Sequence, residues 1–420
     1  MSNFAKKSVR MSNSVAIESG KLPDDRIVWL DVARFVAMFT LLCCHCANPF
    51  NWVPADSPIA GEVKLWGGIY GAMLRHSVPF FVMITGALLL PVKHDASSFY
   101  KKRISRIFWP FLIWSIIYCL APWFIGVLGF GSNVVQSFFP YAGQDFLTQS
   151  LDVSLKHIAL LPFDFSTIGL HMWYIYMLIG VYLYMPIFSC WIEKASDRSK
   201  LNFLIGWGIA SCVPYLCQFI SPNIWGSCSW NHFGMLYYFA GYNGYLLLGN
   251  YLREKSWSVR QVCFIGIPMF IVGYLITYFG REYMLSIPNC DENMAELFWT
   301  NNSLNVIMMV IPLFMACKLV KIRTERVKAL LANLTLCGFG IYMIHYFFIG
   351  YSVIFMRNIG VPISLQIPCA AVFALALSWI VAALGTKCLG KYSIWILGSC
   401  QRKRPSKDKE KDKSSNQVKI

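Results

Sequence analysis

The chain has 420 residues, of which 56% are hydrophobic and only 14% are charged. Soluble domains usually carry about 25% charged residues and about 45–50% apolar ones. The surplus of apolar residues lies in runs that approach the ~20 residues a helix needs to cross a membrane. The formal net charge of +16 does not indicate nucleic-acid binding, because the basic residues form short clusters between these runs, as in cytoplasmic loops. The composition excludes an ordinary soluble protein and predicts an all-α integral membrane protein.

Apolar runs along the chain predict a bundle of about ten transmembrane helices. The predicted spans are 27–47, 68–90, 106–127, 171–191, 201–220, 235–252, 261–280, 303–320, 335–356 and 362–386. With both termini in the cytoplasm, 31 of the 37 lysines and arginines fall on the inner side. We therefore expect a cytoplasmic tail over 1–26 without a cleavable signal peptide, and a transmembrane domain over 27–388. A charged, disordered cytoplasmic tail is expected over 389–420.

The first predicted span carries three ionisable residues on one face. Asp31, Arg34 and His45 fall within about 80° of arc on a helix. Arg34 and His45 are separated by about 16 Å along the axis, which is roughly half of the ~30 Å hydrocarbon thickness. Because a charged group in hydrocarbon is costly, such a face indicates function. The structural alternative is that Asp31 pairs locally with Arg34 and that His45 bonds a neighbouring helix.

No metal site is expected in this span. The sequence Cys-Cys-His-Cys at 43–46 contains suitable ligand types. Four consecutive helical residues point in four directions, however, and cannot close a tetrahedron around one ion.

Five short elements, in chain order, resemble those of the membrane acyltransferase-3 family. The first is Arg34 followed after ten residues by His45. The others are Ser77-Val-Pro-Phe-Phe-Val-Met-Ile-Thr-Gly86, Phe99-Tyr-Lys-Lys-Arg103-Ile-Ser-Arg106, His171-Met-Trp173-Tyr and Gly340-Ile-Tyr342-Met-Ile-His345. The resemblance runs over about 27–388 and is greatest to the branch that includes the O-acetyltransferase of enterobacterial common antigen.

The resemblance implies an O-acetyltransferase in a bacterial cytoplasmic (inner) membrane. Such an enzyme takes an acyl group, usually acetyl, from cytoplasmic acyl-CoA. It delivers the group to a sugar hydroxyl of a cell-surface polysaccharide or a lipid-linked glycan. The expected partners are therefore acyl-CoA, a glycan or glycolipid and membrane lipid, with no nucleic acid.

The same resemblance suggests roles for the site residues. Arg103 and Arg106 would hold the phosphates of CoA, although a basic cluster here also serves as a topogenic signal. His45 would act as the general base. Arg34 would position the CoA arm or stabilise oxyanion charge, and Asp31 would orient Arg34. The residues do not distinguish direct transfer from an acyl-enzyme.

Three further residues are candidates for binding the acceptor. His171 and Trp173 begin the fourth span, where His171 would contact the sugar or lie in an interfacial aromatic belt. Arg75 is expected near the outer end of the second span, where it would meet an anionic acceptor or extend to the interface. His345, in the ninth span, is expected to be structural.

Two other functions fit a bundle with a charged internal face. One is a transporter or flippase for a polysaccharide or lipid-linked sugar, and the other is a membrane sensor without catalysis. No internal repeat of the kind found in many transporters is visible in the sequence. The pairing of Arg34 with His45 favours catalysis over a sensor.

Reporter fusions test the orientation. Alkaline phosphatase fused after residue 290 should be active, because 281–302 is an outer segment in this orientation. The same reporter fused after residue 257 should be inactive, and a green fluorescent protein at the C-terminus should fluoresce in the cytoplasm. The opposite pattern at all three sites would reverse the topology.

Overall fold

The computed structural model describes residues 27–51 and 57–399, and within these ranges the chain is helical and contains no β-strand. Eight helical segments in this part of the chain are long and apolar enough to cross a membrane. The predicted fold class, an all-α integral membrane protein, is therefore confirmed. The cytoplasmic position of both termini stays a prediction, and the tails at 1–26 and 400–420 lie outside the described residues.

The helices are numbered along the chain. They are α1 (Val28–Asn51), α2 (Ala60–Met73), α3 (Ser77–Leu89), α4 (Ala96–Val127), α5 (Ser132–Phe138), α6 (Leu151–Leu160), α7 (Trp173–Lys194), α8 (Asp197–Ala210), α9 (Val213–Phe219), α10 (Asn243–Glu254), α11 (Val259–Gln261), α12 (Ile267–Ser286), α13 (Glu292–Glu296), α14 (Leu304–Leu319), α15 (Glu325–Ile344), α16 (Tyr346–Asn358), α17 (Ile363–Leu389) and α18 (Ser393–Leu397). Short 3-10 helices cover Gln144–Thr148, Thr167–Met172, Ile224–Gly226, Gly234–Phe239 and Gly390–Tyr392, and a π-helical turn, Val262–Gly266, joins α11 to α12.

Every predicted span falls on helical structure, but two of the helices are short. The predicted spans 235–252 and 303–320 correspond to α10 and α14, which have 12 and 16 residues. Both are shorter than the ~20 residues of a full crossing. The prediction of ten spans is therefore met by eight full-length segments and two shorter helices.

Helix α1 lies at the centre of the bundle. It packs against α2, α3, α14, α15, α16 and α17. In its most apolar window 67% of the residues are buried, compared with 17% for the peripheral segment Val259–Ser286. Ala33, Ala37, Cys46 and Ala47 have no exposed surface, and such small side chains allow neighbouring helices to approach closely. The helix with the predicted polar face is thus enclosed by protein.

Three interruptions of the helices place polar side chains inside the bundle. The turn 74–76 separates α2 from α3, and Pro79 in the first turn of α3 suits a helix start because it has no N–H to satisfy. Gly169 has non-helical φ and ψ of −115° and 46°, shortly before His171 and α7. His345 separates α15 from α16.

The helical domain extends past the predicted boundary at 388. After α17, the 3-10 turn and α18 pack against α4. Trp114 of α4 donates from Nε1 to the carbonyl oxygen of Ile396 at 2.8 Å. The hydroxyl groups of Thr386 and Ser399 lie 3.1 Å apart. Residues 389–399, expected to begin the charged tail, therefore belong to the packed domain.

Helices α3 and α10 meet at backbone contact through two glycines. A Cβ atom at Gly86 would lie 2.0 Å from the carbonyl oxygen of Leu246, and one at Gly249 would lie 1.9 Å from that of Met83. Real Cβ atoms cannot approach an oxygen so closely. Alanine at either position would push the two helices apart.

Substitution of these glycines tests the packing. Gly86→Ala or Gly249→Ala should lower the Tm of the detergent-purified protein, since overpacking typically costs about 1–3 kcal/mol. Gly180→Ala in α7 is the matched control, because its added Cβ meets nothing within 4 Å. Equal Tm values for all three variants and the wild type would contradict the close α3–α10 contact.

Candidate active site

A cavity of about 390 Å³ lies in the bundle beside α1. Of the eight predicted site residues, all but Asp31 line it. They are Arg34, His45, Arg75, Arg103, Arg106, His171 and Trp173. The structure thus brings residues from α1, α4, α7 and the turns that precede α3 and α7 to one space. Their chemical roles stay predictions.

Asp31 does not line the cavity but forms a hydrogen bond with Arg34, which does. It is 3% exposed, and its Oδ1 accepts a hydrogen bond from Nη1 of Arg34 at 3.3 Å. The side chain of Arg34 remains 23% exposed and lines the cavity. A buried carboxylate needs such a partner because its desolvation is costly. The local pair expected from the i,i+3 spacing is therefore present, and its arginine still faces the cavity.

Arginines dominate the charge of the cavity wall. Arg34, Arg75, Arg103 and Arg106 line it, whereas no Asp or Glu does among the described residues. Charges act strongly in a region of low dielectric constant. The cavity is therefore suited to an anionic ligand with groups that accept from guanidinium forks.

Arg106 also has a structural contact. Its Nε donates to the carbonyl oxygen of Gly398 at 2.8 Å, which ties the C-terminal turn to α4. Arg103, one helical turn earlier, is partly exposed and lines the cavity, whereas Lys101 and Lys102 are exposed and do not line it. Arg103 is therefore the better test of an anion-binding role.

The middle of the cavity is mostly apolar. Its wall here includes Phe35, Met38, Leu41, Phe81 and Phe339. Ligand pockets commonly combine apolar walls with a few polar groups that fix orientation. This stretch can accommodate a slender, largely uncharged chain between the arginines and His45.

Three histidines from distant parts of the chain form a cluster at the cavity. The ring centroid of His345 lies 5.3 Å from that of His45 and 5.0 Å from that of His171. His45 and His171 are 6.5 Å apart. Tyr346 stacks on His171 at 4.6 Å and lies edge-on to His45 at 5.6 Å.

Within 27–51 and 57–399, no group of three or more His, Cys, Asp or Glu side chains has the geometry to hold a metal ion.

Tyrosine hydroxyls fix the backbone around this cluster. Tyr342 donates to the carbonyl oxygen of His171 at 2.5 Å. Tyr118 donates to the carbonyl oxygen of Met343 at 2.7 Å. The first bond joins the end of α15 to the interruption before α7, and the second joins α4 to the end of α15.

The side chains of His171 and His345 are both buried. His171 is 1% exposed, so its side chain is enclosed by protein rather than facing the outside of the bundle. His345 is fully buried, as expected, and its ring lies beside that of His45. The late motif that ends in His345 was the only sequence signal for this proximity.

Arg75 lies in the middle of an apolar segment rather than near its end. The sequence places it near the outer end of a span, but the structure places it in the turn that interrupts the apolar segment Ala60–Leu89. Its guanidinium carbon lies 3.8 Å from the ring centre of Trp299, and that of Arg281 lies 3.6 Å from the same ring. Nη1 of Arg75 is 3.7 Å from Oε2 of Glu296. The stack on Trp299, which sequence reasoning missed, holds the Arg75 side chain at the cavity wall.

The fold and the cavity define a multi-pass helical membrane protein with arginines and clustered histidines around one internal site. A family model described as an acyltransferase domain, Acyl_transf_3, matches residues 27–383. The chain therefore belongs to the acyltransferase-3 family and is a membrane acyltransferase. No curated protein and no solved structure matches it.

Proposed function

We propose that the protein transfers an acyl group, in the first instance acetyl, from cytoplasmic acyl-CoA to a sugar hydroxyl of a cell-surface polysaccharide or lipid-linked glycan. We place this reaction in a bacterial inner membrane. The observation that carries the proposal is the continuity of one cavity from Arg34, Arg103 and Arg106 to His45 and His171. The acyl donor and the acceptor can therefore bind side by side in this cavity.

The donor is acyl-CoA. Its phosphates are held by Arg103, with Arg106 contributing charge while it also ties the C-terminal turn. The pantetheine arm then follows the apolar wall past Phe35 and Met38 towards His45. Arg34 borders this path and is oriented by Asp31.

The spacing on α1 favours a positioning role for Arg34 over oxyanion stabilisation. Arg34 and His45 are separated by about 16 Å along the helix axis. Hydrogen-bond donors that stabilise an oxyanion must lie about 3 Å from it. A thioester carbonyl beside His45 is therefore out of reach of Arg34, which positions the CoA arm instead.

His45 is the general base of the transfer. It removes the proton from the acceptor hydroxyl, and the hydroxyl oxygen attacks the thioester carbonyl. The C–S bond breaks, the ester forms, and the CoA thiolate leaves and takes up the proton. With both substrates in one cavity, direct transfer benefits from their fixed orientation.

The acceptor is bound near His45 by His171, Trp173 and Arg75. The aromatic face of Trp173 suits a sugar ring, and the guanidinium of Arg75 suits an anionic group on the acceptor. Arg75 and His45 line the same cavity. Membership of an acyltransferase family favours this function over a transporter or flippase.

His45→Ala is expected to separate binding from chemistry. The purified variant should fold and bind acetyl-CoA, but its transfer of labelled acetyl to extracted glycolipid in proteoliposomes should fall about 10²–10⁴-fold, the usual contribution of a general base. Thr40→Ala, on the same helix and outside the cavity lining, is the control and should retain activity. Full activity of His45→Ala would remove His45 from the mechanism, and no transfer by the wild type would reject the acyltransfer function itself.

Arg103→Ala is expected to raise the KM for acetyl-CoA about 10-fold or more, because a charge-assisted hydrogen bond to phosphate contributes about 1.5–3 kcal/mol. The kcat should change little. Lys101→Ala removes a charge from the same helix at an exposed position outside the cavity and should leave the KM unchanged. Equal KM values for both variants and the wild type would dismiss the phosphate role.

A further inference from the structure

The histidine cluster contains an unusual concentration of buried polar atoms without hydrogen-bond partners. Within the described ranges these atoms include Nδ1 of His45, both ring nitrogens of His171, Nε2 of His345 and the hydroxyl of Tyr346. A buried polar group without a hydrogen-bond partner lowers the stability of the folded protein. Such groups usually concentrate where function requires them.

The backbone determines where the proton of His345 resides. Nδ1 of His345 lies 2.7 Å from the carbonyl oxygen of Tyr342. A carbonyl oxygen only accepts, so Nδ1 must carry the hydrogen in this contact. In the neutral ring Nε2 then has a lone pair and acts as an acceptor. His345 therefore presents a fixed acceptor inside the cluster.

His45 is one of two histidines close to this acceptor that also line the cavity. The ring centres of His45 and His345 are 5.3 Å apart. An N–H···N hydrogen bond of about 3 Å between two imidazoles gives a similar separation once the ring radii are added, roughly 5 Å in all. Nδ1 of His45 is buried, so Nε2 is the nitrogen that remains for a substrate in the cavity.

We propose that His345 is a positioning residue for His45. Its Nε2 accepts a hydrogen bond from Nδ1–H of His45, formed by a small rotation of the rings, and this bond keeps Nε2 of His45 unprotonated and directed at the acceptor hydroxyl. The inference rests on the proposed acyltransfer function. It assigns to a histidine, bonded to the Tyr342 carbonyl, the role that a carboxylate performs in the Ser-His-Asp triad.

The proton balance of the transfer is simple in this arrangement. Nε2 of His45 takes the proton of the acceptor hydroxyl, and the ring becomes an imidazolium with hydrogen on both nitrogens. The bond from Nδ1–H to His345 persists and stabilises that cation. The proton on Nε2 then passes to the departing CoA thiolate, and His45 returns to its starting tautomer.

His171 is the competing partner for Nε2 of His345, since its ring centre is 5.0 Å away. Its plane is turned 75° from that of His345, whereas the plane of His45 is tilted by 39°. His171 is also stacked on Tyr346 at 4.6 Å, which restrains rotation of its ring. His45 is therefore the partner that can align with His345 at lower cost.

Nuclear magnetic resonance of ¹⁵N-histidine-labelled full-length protein in liposomes tests the inference without any acceptor. At pH 8 the wild type should show His45 as the Nδ1–H tautomer, assigned by comparison with His45→Ala. In His345→Asn, the Nε2–H tautomer of His45, which is commoner in free imidazole side chains, should replace it. An Nε2–H tautomer of His45 in the wild type, or a tautomer unaffected by His345→Asn, would overturn the proposal.

A pair of matched variants provides the kinetic test. His345→Gln places an amide oxygen near the position of Nε2 and retains the acceptor, whereas His345→Asn bonds only near the position of Nδ1. With acetyl-CoA and extracted glycolipid, kcat should fall at least about 100-fold in His345→Asn, and His345→Gln should stay within about 10-fold of the wild type. The KM for acetyl-CoA and the Tm should match between the two variants.

The outcomes separate this inference from the function on which it rests. Equal kcat values for His345→Gln and His345→Asn would overturn the positioning role while wild-type transfer stands. A wild type that shows the Nδ1–H tautomer of His45 but transfers no acetyl would support the geometry and reject the acyltransfer function.

Discussion

The cost of placing charged and polar groups in an apolar interior governs this structure. Asp31, Arg34 and His45 share one face of α1, and a lipid-facing position would leave them without partners or water. Six helices enclose α1 instead, and the polar face opens onto an internal cavity. Asp31 is satisfied by Arg34, so the only carboxylate on this face is neutralised locally. The central position of α1 and the existence of the cavity are two consequences of the same constraint.

Interruptions of the helices determine which backbone carbonyls and polar side chains meet around the site. A helix break changes the direction of the chain and brings side chains and backbone groups together that a continuous helix would keep apart. At the break between α15 and α16, the carbonyl oxygen of Tyr342 meets the ring of His345, and the break before α7 offers the carbonyl oxygen of His171 to Tyr342. The turn between α2 and α3 likewise carries Arg75 to the cavity wall. These breaks give the site its polar geometry.

The bundle combines close helix packing at the α3–α10 contact with a histidine cluster whose hydrogen-bonding groups are incompletely paired. Gly86 and Gly249 allow backbone contact between α3 and α10, and such contacts stabilise helices in a medium that offers no hydrophobic driving force between them. The histidine cluster, in contrast, contains buried nitrogens that other side chains in the described ranges leave available for a functional contact. Proteins commonly sacrifice stability at functional sites and recover it elsewhere. The tight α3–α10 contact is one place where this protein can recover it.

The amino-acid sequence by itself determined the membrane class, the positions of the spans, the polar face of α1 and the family resemblance. Each of these depends on local properties: apolar runs long enough for a bilayer, a helical period of 3.6 residues, and short motifs in chain order. The expected orientation likewise comes from the placement of lysine and arginine alone.

Only the tertiary structure decided how His45, His171 and His345 meet, where Arg75 lies and which residue supports it. The three histidines come from segments far apart in the chain, and their ring distances depend on helix crossings and on the exact breaks that precede α7 and α16. Hydropathy cannot reveal a break inside an apolar run, so Arg75 was expected nearer the surface. Trp299 lies outside every predicted span and motif, and its contact with Arg75 exists only because α2 and the segment before α14 come together in space. Periodicity along a chain is local, whereas a site assembled across a bundle depends on how the helices pack.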